Sequence, residues 1–372
     1  MTDPYDIIIC GAGITGASTA FHLKALGYRP LVLCNQPSIT EKSMALAHAE
    51  SGDQITRVAN AFGDNQAKSL WELSLRGFNS LRDFCEEQSI PVQAGNIVRV
   101  AREEFEKREL AMGYDLLRDV HDNIKLVEGA NELHGYTLQV LKDKLFKFDV
   151  CKLLNALLHE VETVRTQVQS INEKTDGVTV SSDTGNFHGE LCIGASHLDI
   201  QSLFKLPPGA LVPFSDQWSK TKILGNIPQA LQGALVFWRY NLCQAYFGEG
   251  GQGMVSGARF VRPNAGIGDM VAKVSDRVQD MQLRELLELL PQGGFKLEEA
   301  THLLGCRPCD ELPIVGPMFG SQRLLLGTGY MGQGLSLGFM AGKCLAELVH
   351  WGTCSMLPRI LWPERLRALG ES

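Results

Sequence analysis

No apolar stretch of the 372-residue sequence reaches membrane-spanning length without charges. The first apolar run, Ile7 to Cys10, is far too short for a signal-peptide core, and Asp3 and Asp6 precede it. A cationic excess is missing as well. The net charge of -7 argues against a nucleic-acid-binding surface spread over the whole protein, although it leaves room for a local basic groove. Metal-ligand spacing is also lacking: one C-x-x-C pair exists, Cys306 and Cys309, and His302 alone does not complete a zinc site. No metal is expected. The ten cysteines are scattered too thinly for a secreted disulfide scaffold, so they read as reduced thiols of a cytoplasmic protein, most of them small buried hydrophobes. Neither an internal repeat nor a low-complexity tract occurs. What the chain does have is apolar material, 44% hydrophobic against 21% charged residues, enough to bury a large core in two domains or in one domain with a large insertion.

The strongest local signal is YDIIICGAGITGASTAFHLKALGYRPLVLC. Tyr5 to Cys10 reads as a buried strand, Ala17 to Leu26 as a helix stopped by Gly27, and Pro30 to Cys34 as a second strand. Between the first strand and the helix, Gly11, Gly13 and Gly16 form G-x-G-x-x-G in the β-α-β context that a dinucleotide fingerprint requires. Gly11 permits the sharp turn, Gly13 lets the backbone approach a pyrophosphate, and Gly16 lets the helix pack on the strand. The intervening Ala12, Ile14 and Thr15 present backbone N–H groups at the helix N-terminus, where phosphate binds. An acidic ribose ligand is missing after the second strand. Asn35 and Gln36 stand there instead and offer weaker hydrogen bonds than a carboxylate.

In the middle, 52–81 reads as helical, with Arg57 a surface or phosphate-facing cation; 91–100 reads as strand and 103–119 as a solvated helix. The segment 148–161 is an amphipathic helix, followed by short strands at 166–172, 177–181 and 190–195. From 211 to 262 the pattern is strand-like, and 274–290 is helical. Near the end, GCRPCDELPIVG (305–316) precedes a strand at 323–326, a loop with Gly327, Gly329, Gly332 and Gly334, and a helix at 335–349. A second glycine-rich strand–loop–helix unit suits a flavoenzyme, because a helix N-terminus aimed at the isoalloxazine stabilises the reduced ring. The competing explanation is a helix packed tightly through small residues.

In these segments the chain resembles the FAD-dependent D-amino-acid oxidase superfamily, in particular its glycine oxidase and sarcosine oxidase branch. The resemblance implies an α/β (α+β overall) fold: a Rossmann-like FAD-binding domain interleaved with an antiparallel-sheet substrate domain. It divides the chain into a discontinuous FAD-binding domain (1–82, 146–210 and 300–360) and a substrate domain (83–145 and 211–299). By the same analogy Val168 and Ala195 lie near the adenine, while Gly305, Gly329, Met331, Gly332, Gln333, Gly334 and Leu335 join the FAD site. Arg307, in the G-x-R-P motif, is implied to bind the substrate carboxylate, which suits its rigid two-pronged donor; the alternative is an ordinary structural ion pair. Tyr246 matches a tyrosine placed over the substrate, or is a core aromatic on a strand. Sarcosine oxidase-like relatives use a C-terminal lysine where this chain has Ser336.

The expected activity is that of an FAD-dependent amine or amino-acid oxidase or dehydrogenase, taking a hydride from the C–N bond of a small carboxylate-bearing amine. Oxygen or another acceptor would then take the electrons. Alternatives in the same superfamily act on a macromolecule, either a carboxymethylamino group of a tRNA wobble uridine or a protein side chain. A degenerate, non-catalytic flavin-fold protein is the third reading. Cys306 and Cys309 are read as packing residues beside Arg307.

Overall fold

A computed structural model describes residues 5–35, 38–50, 53–271 and 273–370. Two sheets organise it. The first has eight strands: β1 (Tyr5–Cys10), β2 (Pro30–Cys34), β7 (Glu162–Arg165), β8 (Val168–Lys174), β9 (Gly177–Ser182), β10 (Gly185–Gly194), β16 (Ile314–Pro317) and β17 (Leu324–Thr328). Strands β17, β10, β1, β2 and β7 lie side by side and parallel, β16 closes one edge antiparallel, and β8–β9 forms a ribbon on β10. The central strands β1 and β2 carry apolar runs without alternation because both faces are covered, whereas the edge strand β7 is polar and exposed. On β1, Ile7 and Ile9 face the helices α1 (Ile14–Ala25), α3 (Asp64–Glu87) and α8 (Gly334–Trp351), whereas Ile8 and Cys10 face Phe204 and Leu206, just after α6 (Ile200–Leu203).

The second sheet has nine strands: β3 (Leu46–His48), β4 (Gln93–Ala101), β5 (Ile124–Ala130), β6 (Tyr136–Lys147), β11 (Leu211–Ile223), β12 (Ala234–Trp238), β13 (Cys243–Phe247), β14 (Gln252–Gly257) and β15 (Phe295–Pro308). Its main path runs β15-β11-β14-β13-β12-β4-β6-β3. Period-two alternation sorts its side chains cleanly. Ile97, Leu235, Phe237, Tyr246, Met254 and Trp218 face the first sheet's helices in one continuous core. Val98, Val236, Trp238, Phe247 and Val255 face away and pack with α7 (Asp276–Leu289).

Three further helices frame the site: α2 (Ile55–Phe62), α4 (Glu104–Leu117) and α5 (Val150–Leu157). The helical run expected over 52–81 is broken at Gly63, whose φ of 89° no side chain adopts easily, so α2 and α3 are separate. The expected domain division needs correction in three places. Strand β3 joins the second sheet although it lies within 1–82, α3 crosses residue 82, and β15 runs unbroken through residue 300.

The first and last helices pack through small residues. A Cβ on Gly342 would stand 2.6 Å from the Ser18 Cβ, and one on Gly338 would stand 2.8 Å from the Ile14 Cγ2. Close packing therefore accounts for part of the C-terminal glycine cluster.

Candidate active site

The turn between β1 and α1 has the geometry its sequence dictates. Gly11 sits at φ 120°, and a Cβ there would meet the Ala195 carbonyl carbon at 2.6 Å. A Cβ on Gly16 would lie 1.8 Å from the Gly11 oxygen. Gly13 is the N-cap of α1 and provides no side-chain cap. The Ile14 N–H instead donates to the Thr40 hydroxyl at 3.1 Å, which brings the 38–43 segment over the helix N-terminus. Thr15 donates to the Tyr330 hydroxyl at 2.9 Å, tying this turn to the loop before α8. Ala12 packs on the main core, and Ala195 is fixed by its N–H to the Cys10 oxygen at 2.8 Å.

The second glycine loop stands opposite. Gly329, Met331 and Gly332 all lie in the left-handed region, at φ 77°, 50° and 91°. Gly329 is pressed against Pro308, where a Cβ would stand 2.4 Å from the ring. Gly334 and Leu335 start α8, and Ser336 donates to the His48 carbonyl at 2.7 Å. Between the two loops, four buried polar atoms have no partner among the described residues: the Ser38 and Ser196 hydroxyls and both amide atoms of Gln333. Ser38 lies beside Gly13, Ser196 beside Gly11, and Gln333 is the N-cap of α8; unpaired buried polar groups are costly, so these mark places for a polar ligand.

Arg307 ends β15 opposite Val212 and pairs with Glu311. Its neighbour Gly305 has no room for a side chain, because the Phe214 ring would lie 2.3 Å from a Cβ. Arg259 covers the other face of this neighbourhood, 4.9 Å above the Phe214 ring. Burial holds the Arg307 pKa below its ordinary value, Arg259 and Arg57 lower it further, and Asp53 opposes them. Arg57 is thus brought close to Arg307, while its own guanidinium binds Asp53 at 3.1 Å. The flanking cysteines are uninvolved: Cys306 points into the core with its thiol pushed up to about 11 by burial, and Cys309 is exposed. No metal-ligand cluster occurs among the described residues.

Tyr246 is not brought beside Arg307. It lies on β13, three strands from β15, and its register through Met254 reaches Lys220, eight residues along β11 from Val212. Strand spacing alone separates them by about 14 Å across the sheet. Its ring abuts Gly248 and lies under the Lys147 ammonium at 5.7 Å. Asn35 follows β2 and accepts from Arg165 at 3.4 Å through its carbonyl, Val168 opens β8, and Gln36 lies outside the described residues.

Sequence reasoning misses a buried polar cluster under the same face of the second sheet. Glu50 accepts from Arg99 Nε at 3.1 Å and Nη2 at 2.7 Å, and His121 Nε2 lies 3.4 Å from its other oxygen. Arg99 also donates to Asn241 at 2.7 Å and covers the Phe237 ring. Phe237 meets His48 edge-on, and His48 continues to α8 through its carbonyl. Burial lowers the His48 pKa to about 4, whereas Arg99 and His121 overcome burial at Glu50 and hold it at about 2. The only sequence cue is the unusual placing of His48 and Glu50 in an apolar stretch.

A family profile described as "DAO: FAD dependent oxidoreductase" matches residues 6–348. The chain belongs to this family. It is an FAD-dependent oxidoreductase with the family's FAD-binding fold. Among solved structures it is similar to glycine oxidase from Geobacillus kaustophilus, with TM-score 0.79 and 17% identity, covering 97% of this chain and 98% of that one. It is similar to L-proline dehydrogenase from P. horikoshii, with TM-score 0.79 and 12% identity over 99% of both chains. Iminodiacetate oxidase from Chelativorans sp. BNC1 follows at TM-score 0.75 and 16% identity, covering 96% and 98%. A search of curated proteins by sequence returns no match.

The residues present fit FAD. The glycines of the crowded turn place no side chains of their own at the α1 N-terminus, where the Thr40 hydroxyl meets the Ile14 N–H, and the unpartnered Ser38, Ser196 and Gln333 groups would supply polar contacts to the cofactor. No helix is long and apolar enough to cross a membrane among the described residues.

Proposed function

We propose that this FAD-dependent oxidoreductase oxidises the C–N bond of an amine or amino acid that carries a carboxylate. The observation that carries the reading is the place of Arg307. It is half-buried at the end of β15, and the next residue, Pro308, abuts Gly329 of the loop leading into α8. A guanidinium so placed offers a charge-assisted, two-pronged grip on a carboxylate. The similar structures support the same class, since each is named for a carboxylate-bearing amine.

FAD held at the two glycine loops would supply the hydride acceptor, with oxygen or another acceptor taking up the electrons. The chain's own part is binding and orientation. Arg307 fixes one end of the substrate, and rotation about that anchor is restricted by Phe214 and Arg259. Positive potential from Arg307 and Arg259 favours an anionic substrate over the neutral amine lacking a carboxylate, while Arg57 is offset by Asp53.

The test is anaerobic mixing of FAD-loaded protein with glycine, sarcosine, proline, iminodiacetate and D-amino acids, following flavin absorbance. Bleaching by at least one is expected; if none bleaches or perturbs the flavin, the reading fails. Arg307→Ala should lower kcat/KM by roughly 10- to 100-fold, the scale of a hydrogen-bonded charged contact.

A further inference from the structure

We propose that Glu311 sets the affinity of the active site for carboxylates by competing with them for Arg307. The proposal rests on the reading that Arg307 binds the substrate carboxylate.

Glu311 pairs through Oε1 with Arg307 Nη2, and the two side chains are 23% and 27% exposed, so neither is freely solvated. A carboxylate of the protein thus already holds the donor that an incoming carboxylate needs. Binding must displace Glu311 or share the guanidinium with a second negative charge, and either weakens it.

Glu311 stands at a backbone position that glycine would fill more easily. It sits at φ 64°, in the left-handed region, where glycine is at ease and a side chain is strained. The turn does not need the glutamate for its own support. Its N–H closes the turn on the Pro308 oxygen at 3.0 Å, a bond any non-proline residue makes. The adjacent Asp310 secures the segment through Arg365, at 2.6 Å and 3.1 Å, and accepts the Leu312 N–H at 3.2 Å. Glu311 is therefore free of those anchors.

The surrounding charges allow the exchange. Arg259 and Arg57 both act on Arg307, and Asp53 is engaged by Arg57. When Glu311 swings out, the pocket still carries a cationic excess that suits an anion. The substrate class this favours is one whose carboxylate outcompetes a tethered glutamate, through a second contact elsewhere in the site. Simple monocarboxylates would bind weakly.

The test uses FAD-loaded protein titrated with acetate, followed by flavin absorbance, with acetamide as the uncharged control. Glu311→Gln is expected to tighten acetate about tenfold, the scale of releasing one charged hydrogen bond, while acetamide shifts less than twofold. Glu311→Gly suits the left-handed turn and removes the carboxylate, so it should show the same gain and guards against a glutamine variant that folds poorly. Unchanged or weaker acetate binding in both variants overturns the proposal. Equal changes for acetate and acetamide overturn it too, because they reveal a structural role alone. Arg307→Ala separates the two layers. If it leaves acetate binding intact, the carboxylate reading of Arg307 is at fault. If it abolishes acetate binding while the Glu311 variants match the parent, only the competition fails.

Discussion

The carboxylate of Glu50, wholly removed from solvent, receives two hydrogen bonds from the side chain of Arg99, itself 4% exposed. An ion pair this deep leaves a severe imbalance when one member is lost. Arg99→Met is therefore expected to cost about 3–5 kcal/mol, with Glu50 left only His121 beside it. Glu50→Gln combined with Arg99→Met should recover much of the loss, because no lone charge remains. Urea unfolding of the single and double variants measures both quantities; a single variant as stable as the parent would show that the pair is not buried in solution.

His48 predicts a pH dependence of definite sign. The unfolded histidine takes its proton near pH 6.5, whereas the buried ring takes it only at about 4. Its contribution is complete above the unfolded value and is lost as pH falls from about 6.5 to about 4, up to roughly 3 kcal/mol. Glu50, held at about 2, stays ionised in the folded protein across that window, but its unfolded carboxyl takes a proton near 4.5, so it adds a slope of the same sign only below about pH 5. His22 and His197 are also lowered, chiefly by burial, and act in the same direction. The measurement is the difference in unfolding free energy between the parent and His48→Gln at pH 7.5 and 5; a parallel decline of both would assign the slope to other groups.

Gln333 allows stability and cofactor affinity to be moved in opposite directions. Both of its amide atoms are buried without partners, so Gln333→Leu removes an unsatisfied group from the apoprotein. The apo variant should melt no lower than the parent, while its affinity for FAD falls about tenfold if the amide meets the cofactor. Reconstitution with FAD, read by quenching of flavin fluorescence, decides it. A variant that binds FAD like the parent would remove Gln333 from the cofactor site.

Glycines of one cluster should respond unequally. Gly342→Val would drive a side chain into the backbone of Thr15 and the Cβ of Ser18, prising α8 from α1, at a cost of about 1–3 kcal/mol or more. Gly334→Ala meets nothing within 4 Å and should fold as the parent does. Thermal melts of the two variants, compared under one condition, provide the check.

Much of this protein is legible in its sequence wherever function constrains the backbone locally. The turn Gly11–Gly16 and the loop Gly329–Gly334 declare themselves because Gly11, Gly329 and Gly332 lie at positive φ and a Cβ on Gly11, Gly16 or Gly329 would meet neighbouring atoms. The strands β5 and β6 carry no comparable signature, and nothing in 120–147 announces them beforehand. β5 pairs with its sequence neighbour β6, but β6 pairs also with β4 and β3, about 40 and 100 residues earlier, and no local pattern reports those partners. Charged residues pose the same difficulty. Arg57 reads as a surface or phosphate-facing cation and Arg99 only as part of a strand, because what brings one near Arg307 and the other onto Glu50 is the packing of α2 and β4. Tyr246 shows the converse: a plausible motif match lands on the expected sheet but three strands from Arg307.

The seam between α1 and α8 also governs how the protein comes into being. Strand β1 leaves the ribosome first, yet its neighbour β10 is about 180 residues away. The α8 helix against which α1 rests is completed only at Trp351. A nascent chain therefore carries an unfinished parallel sheet with open edges through most of its synthesis, a state prone to association and in need of shielding. The cofactor can be captured in full only after α8 has been made, and a chain cut short before α8 would be a substrate for proteases rather than a smaller flavoprotein.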